Sequence, residues 1–155
     1  MAGTRSRRHR DGDPIARSVP HSTARPNLAA ALDNLGIRLA ELGEYRPAHE
    51  ATSEAVALWR ALAADDPARQ RNLAIALNKP NLAAALDNLG IRLAELGEYR
   101  PAHEATSEAV ALWRALAADD PAHQPNLAQA LTNLGNRLAE LGEYRSAHEA
   151  TSEAG

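Results

Sequence analysis

The chain has 155 residues, and 45% of them are hydrophobic, so one ordinary domain with a real core is within reach. That core would be made of Ala and Leu, because there is no Phe, one Met, two Trp and three Tyr; such a composition favours helix and, with β-branched residues scarce, argues against sheet. The absence of Cys excludes disulfides, thiol nucleophiles and thiolate metal sites, and the net charge of −3 is unevenly spread, with six Arg against two Asp in residues 1–25 and eleven Lys or Arg against eighteen Asp or Glu in the rest.

Residues 1–25 are rich in Arg, Ser, Gly, Pro and His and show neither a helical nor an alternating period. Low hydrophobicity and local charge cannot repay the entropy of ordering, so this stretch reads as a disordered basic arm. Arg5, Arg7, Arg8, Arg10 and Arg17 could meet a phosphate backbone, but no aromatic residue is interleaved for base stacking, and the arm reads as solvated rather than as a nucleic-acid contact. Ser6-Arg7-Arg8-His9-Arg10 has the look of a twin-arginine export signal, yet no apolar segment follows it. No apolar run approaches the roughly 20 residues of a membrane span, and the lack of Cys fits a reducing compartment, so the expected location is the cytoplasm.

The first patterned unit spans 26–67. Leu28, Leu32, Leu35, Leu39 and Leu42 are spaced four, three, four and three apart, which puts them on one stripe of a helix. Pro26 suits the first turn of that helix. Gly43 can take the left-handed conformation that ends it. Pro47 opens a second helix with the stripe Ala48, Thr52, Ala55, Trp59 and Leu62, running to about Ala64 before Asp65-Asp66-Pro67. So short a connection makes the two helices antiparallel neighbours. Gly36 and Ala48 are small where the two would meet.

The unit then repeats. Asn27–Ala68 recurs unchanged as Asn81–Ala122, a run of 42 residues placed 54 residues on, and a third copy starts 45 residues later at Asn126. The extra nine residues come from a partial duplicate, Asn72–Asn78, that imitates the start of a unit. Nine residues are two and a half helical turns, so a straight continuous helix would turn its two leucine sets to opposite faces. Pro80 disfavours helix at Lys79. The expectation is a break or sharp kink at Asn78–Pro80, with 68–78 as a short extra helix; a single bent helix is the alternative. The second and third units are placed at 80–121 and 125–155, with an insert at 68–79. The third lacks the VALWRALAA segment that finishes the earlier second helices. Stacked repeats want polar caps, so the chain reads either as part of a longer array or as one whose open end meets another chain.

These residues resemble the tetratricopeptide repeat, whose pattern is W-x2-L-G-x2-Y, A-x3-F, then P. Here it reads Leu32-x2-Leu35-Gly36-x2-Leu39, then Ala48-x3-Thr52, then Pro67, with Gly43-Glu44-Tyr45 at the turn and Ala55 as the small residue of the second helix. The match returns at Leu86, Leu89, Gly90, Leu93, Ala102 and Ala109, and at Leu131, Leu134, Gly135, Leu138, Ala147 and Ala154. Leu stands for both first-helix aromatics and Thr for the Phe, and the period is 45 where 34 is usual. Most of the excess falls before Pro67 and lengthens the second helix by about two turns. This is similar to the long-helix branch typified by kinesin light chain repeats, and the Ala/Arg-rich wording resembles repeat proteins of actinobacteria. The resemblance implies an all-α solenoid of stacked antiparallel hairpins in a right-handed superhelix. It also implies a non-catalytic scaffold that binds a protein or peptide partner in a concave groove lined by first helices.

Between Asn27–Ala55 and Asn126–Ala154 only four of 29 residues differ: Ala30 against Gln129, Asp33 against Thr132, Ile37 against Asn136 and Pro47 against Ser146. The first three are at i, i+3 and i+7 on one face of the first helix, away from the leucine stripe. In the resembled family that face lines the groove, and an Asn beside it holds peptide backbone or a terminal carboxylate. The expected partner contacts are therefore Ala30, Asp33, Asn34, Ile37 and Glu41; Asp87, Asn88, Ile91 and Glu95; and Gln129, Thr132, Asn133, Asn136 and Glu140. Catalytic, metal and cofactor roles find no support. His49, His103 and His148 are each followed by Glu, but no second His lies four residues on. Ser53, four residues after His49, has no strained turn to activate it. Glu50 and Glu54 read as a solvated face, and Trp59 and Trp113 as core. A structural role, as part of a larger multidomain regulator or as a self-associating repeat, is the alternative function.

Overall fold

The computed structural model describes residues 24–64 and 78–155. Residues 1–23, most of the basic arm, and 65–77, which include most of the insert at 68–79, lie outside the described residues, and with them all but the last residue of the expected short helix over 68–78. Among the described residues six α-helices make three hairpins: α1 (Ala24–Glu41) with α2 (Tyr45–Ala63), α3 (Asn78–Glu95) with α4 (Tyr99–Asp119), and α5 (Gln124–Glu140) with α6 (Tyr144–Ala154). A 3₁₀ turn, Pro121–His123, leads into α5. The described residues contain no strand.

Two helices start earlier than the leucine period alone requires. Helix α1 takes in Ala24 and Arg25, and α3 takes in Asn78, Lys79 and Pro80. In both, a proline falls in the first turn, where the backbone N–H has no intrahelical acceptor to lose. The buried Asn78 ties this start down: its Nδ2 donates to the Leu62 carbonyl at 3.1 Å, joining α3 to the end of α2.

Each hairpin turns in the same way. Gly43, Gly97 and Gly142 have φ of 79°, 77° and 81°. Gly43 N–H donates to the Ala40 carbonyl and Glu44 N–H to the Leu39 carbonyl, both at 2.9 Å, and the other two turns repeat the pair. These paired bonds satisfy carbonyls that a helix end leaves bare. The Glu44 carbonyl then accepts from Ala48 N–H at 3.0 Å, which starts α2 at once. The helices of a hairpin touch at glycine: a Cβ on Gly36 would collide with Thr52 Oγ1 and sit 3.2 Å from the Ala48 carbonyl, and Gly90 faces Thr106 and Ala102 identically.

Hairpins stack through α2 on α3 and α4 on α5. The resulting core holds Ala55, Val56 and Trp59 from α2, Leu82, Ala85 and Leu86 from α3, Val110 and Trp113 from α4, and Leu127 and Leu131 from α5. Each buried Leu, Val or Trp there contributes on the order of 1.5–3 kcal/mol. The second-helix stripe is core, with Ala48, Thr52, Ala55 and Trp59 all buried and Leu62 packed against them. The first-helix stripe is better covered where a hairpin precedes it, although Leu32 of α1 still packs against the core. Leu89 and Leu134 pack against the clusters, whereas Leu35 is 47% exposed and Leu42 76%. The outer side of the α1 leucine stripe therefore stands open, because among the described residues no helix packs there.

Candidate binding face

The first helices α1, α3 and α5 come into direct backbone proximity, while the second helices meet mainly through long side chains. Arg60 donates to Glu108 at 2.5 Å, and Arg114 pairs with Glu153 one repeat further on. Their mutual hydrogen bond holds the Glu153 carboxyl below the usual range. The first helices of successive hairpins thus approach one another more closely than the second helices do.

Along the first-helix side runs a ladder of side-chain bonds between repeats. Asn88 Nδ2 donates to Asp33 Oδ1 at 3.3 Å, and Asn133 Nδ2 donates to Asp87 Oδ1 at 3.3 Å. The asparagines expected to hold a partner's backbone thus hold the preceding repeat's aspartate. The aspartates are half-buried, and burial pushes both pKa values up. Asp33 is raised by burial against the opposing pull of Asn88 and Arg92. Asp87 goes from 3.8 to about 6, burial outweighing the hydrogen bond from Asn133, the nearby Trp113 indole and the charge of Arg137. Trp113 Nε1 itself is buried without an acceptor in hydrogen-bond geometry, so its effect on Asp87 is that of a neighbouring dipole. In α5 the ladder stops: Thr132 replaces the aspartate and its hydroxyl donates to the Ala128 carbonyl at 3.1 Å.

A second series lies within each first helix. Arg38, Arg92 and Arg137 each grip both carboxylate oxygens of the glutamate three residues on, Glu41, Glu95 and Glu140, at 2.7–3.2 Å; Arg92 and Arg137 do so through two nitrogens and Arg38 through one. The Arg92 and Arg137 side chains are only 8% and 9% exposed, whereas Arg38 is 70% exposed. These arginines were absent from the sequence-based contact set, although the i, i+3 charge spacing signals the pairing. The remaining expected contacts lie open or half-open. Ala30, Asn34, Gln129 and Asn136 are exposed, and Ile37 and Ile91 are half-buried. Gln129 donates to Asn133 Oδ1 at 3.4 Å. The face as a whole offers amide donors and acceptors, two branched apolar side chains and glutamates already neutralised by arginine.

The histidines recur on the second helices, each with its Nε2 within 3.2–3.5 Å of the serine four residues on. His49 and His103 are half-buried and His148 is exposed.

A family model described as Tetratricopeptide repeat matches residues 28–68 and 82–123. No curated protein matches the chain. Among solved structures, BtubC (BKLC) from P. vanneervenii, a kinesin-light-chain-like protein, is 20% identical with a TM-score of 0.64 over 81% of this chain and 44% of its own. The TPR domain of Arabidopsis FLU is 17% identical with a TM-score of 0.65, over 84% of this chain and 93% of its own. The chain thus spans less than half the length of BtubC, and at these identities the likeness is one of fold.

Proposed function

Because the chain belongs to the tetratricopeptide repeat family, whose members mediate protein–protein contact and scaffolding, we propose that it is a non-catalytic module that holds an extended peptide or a helix of a partner protein along the inner, first-helix face. The observation that carries this reading is the placement of the divergent residues. Ala30, Asp33 and Ile37 differ from Gln129, Thr132 and Asn136, and all six lie exposed or half-exposed on that one face, while the leucines, glycines and small residues that build the hairpins stay unchanged and the fourth difference, Pro47 against Ser146, falls in the first turn of the second helix. A surface that varies over a constant scaffold is how one fold serves different ligands. Asn34, whose counterparts are engaged by aspartate, is exposed and offers an amide to a partner's backbone. Glu41, Glu95 and Glu140 would meet a partner together with their arginines, as ion pairs rather than as lone charges.

Ala30→Arg, Ile91→Arg and Asn136→Arg together place three bulky cations along the face without touching a buried side chain. Proteins captured from the source cell by the unaltered chain should be lost from the triple variant, with helicity unchanged by circular dichroism. Recovery of the same set by both would remove the first-helix face from consideration.

A further inference from the structure

Residues 27–63 and 81–117 are identical in sequence but differ in surroundings, which makes the pair an internal control. In the second hairpin, Ala85 is fully buried, Leu86 and Leu93 are buried, and Arg92 is 8% exposed. In the first, Ala31 is exposed, Leu32 and Leu39 are half-exposed, and Arg38 is 70% exposed. The difference is the cover provided by α2, which lays Val56, Trp59 and Leu62 against α3. The polar contacts follow the same logic. Asn88 takes Asp33 from the preceding hairpin and Glu108 takes Arg60, whereas Asn34 and Glu54 are exposed and no described residue pairs with them.

We propose that the outer side of the first hairpin, formed by Leu35, Leu39, Arg38, Asn34 and Glu54, is a second docking face, for a helical hairpin of this same repeat type presented by another polypeptide. The identity of the two surfaces specifies the occupant. Its long second helix carries an apolar edge with Val, Trp and Leu in the registers of Val56, Trp59 and Leu62, and Arg in the register of Arg60. Its first helix carries Asp in the register of Asp33. The bonds it would make are those already present between the first and second hairpins. This face lies at the end of the stack and adjoins the inner side at Asn34 and Arg38, so a hairpin docked there takes up the Asn34 amide and leaves the faces of α3 and α5 open. Among the hairpins of this chain, the third is a poor occupant, because Thr132 stands in the Asp33 register.

The test gives the full chain a matching edge and asks whether it finds this face. A chain carrying Thr132→Asp, with the sequence of residues 110–120 added after Ala154, presents the required Asp, Val, Trp, Leu and Arg. In sedimentation velocity this extended chain should form concentration-dependent head-to-tail assemblies that the unextended chain does not form. Introducing Leu35→Glu, or separately Glu54→Arg, into the extended chain should weaken assembly at least about tenfold, because each puts a charge where the occupant needs an apolar contact or an ion pair. Both residues are exposed, so helicity by circular dichroism should be unchanged. An extended chain that sediments like the unextended one overturns the proposal. So do assemblies that persist with Leu35→Glu.

Discussion

At the level of single residues, the most informative side chain is Asp87. Its carboxyl is held at about 6, above its ordinary 3.8, chiefly because burial disfavours the charged form. A raised folded-state pKa means that the folded chain binds more protons than the unfolded one between those two values. Stability is therefore lost as pH rises through that window, and the penalty is complete near neutrality. Asp87→Asn keeps an acceptor for Asn133 and removes the charge. It should stabilise the protein by on the order of 1–2 kcal/mol at about pH 7 and by little at about pH 4, as read from urea unfolding at the two values. An equal change at both would mean that the carboxylate is not the cause. Thr106 makes a second case. Its hydroxyl is fully buried, faces Gly90 and has no hydrogen-bond partner, whereas the equivalent Thr151 hydroxyl donates to the Ala147 carbonyl at 3.0 Å. Thr106→Val keeps the shape and removes the unpaired group, so thermal unfolding should show no loss of stability and a gain of up to about 1 kcal/mol.

At the level of elements, the hairpin is the part most legible in the sequence. Gly43, Gly97 and Gly142 recur before Glu and Tyr, and a glycine past a leucine stripe is a helix stop with a known conformation. Because a Cβ at Gly97 would meet nothing within 4 Å, Gly97→Ala isolates the conformational cost from any clash. It should destabilise by roughly 1–2 kcal/mol in chemical denaturation, the penalty for a left-handed residue with a side chain. Gly90→Ala should cost about 1–3 kcal/mol for the opposite reason, since φ is helical there but Thr106 and the Ala102 carbonyl occupy the space. What the sequence did not disclose was the bonding between hairpins. Asn88 and Asp33 are 55 residues apart, and Asn133 and Asp87 46 apart. No helical period relates such positions; only the offset of one hairpin on the next brings them together. The asparagines could be placed on the first-helix face from the sequence, but whether they face a partner or a neighbouring repeat depended on that offset.

At the level of the whole molecule, the stack behaves as a line of units whose residues owe their burial to neighbours. This is why the leucine stripe of α1 reads as core in the sequence and yet stands half in water: the period reports which face a helix turns inward, not whether anything lies against it. The identical segments make that dependence measurable. Leu86 is 1% exposed between α2 and α4, while its counterpart Leu32 is only partly covered. Truncation of a buried Leu removes its transfer free energy and leaves a cavity, whereas truncation of a half-covered one leaves a site that water can fill. Leu86→Ala should cost about 2–5 kcal/mol in equilibrium denaturation, and Leu32→Ala clearly less, although the two substitutions sit in the same 42-residue sequence. Adding the complementary hairpin in trans should raise the cost of Leu32→Ala toward that of Leu86→Ala, because it supplies the missing cover. Equal losses at the two positions in the isolated chain would mean that burial within a hairpin, rather than stacking between hairpins, sets the stability of each unit.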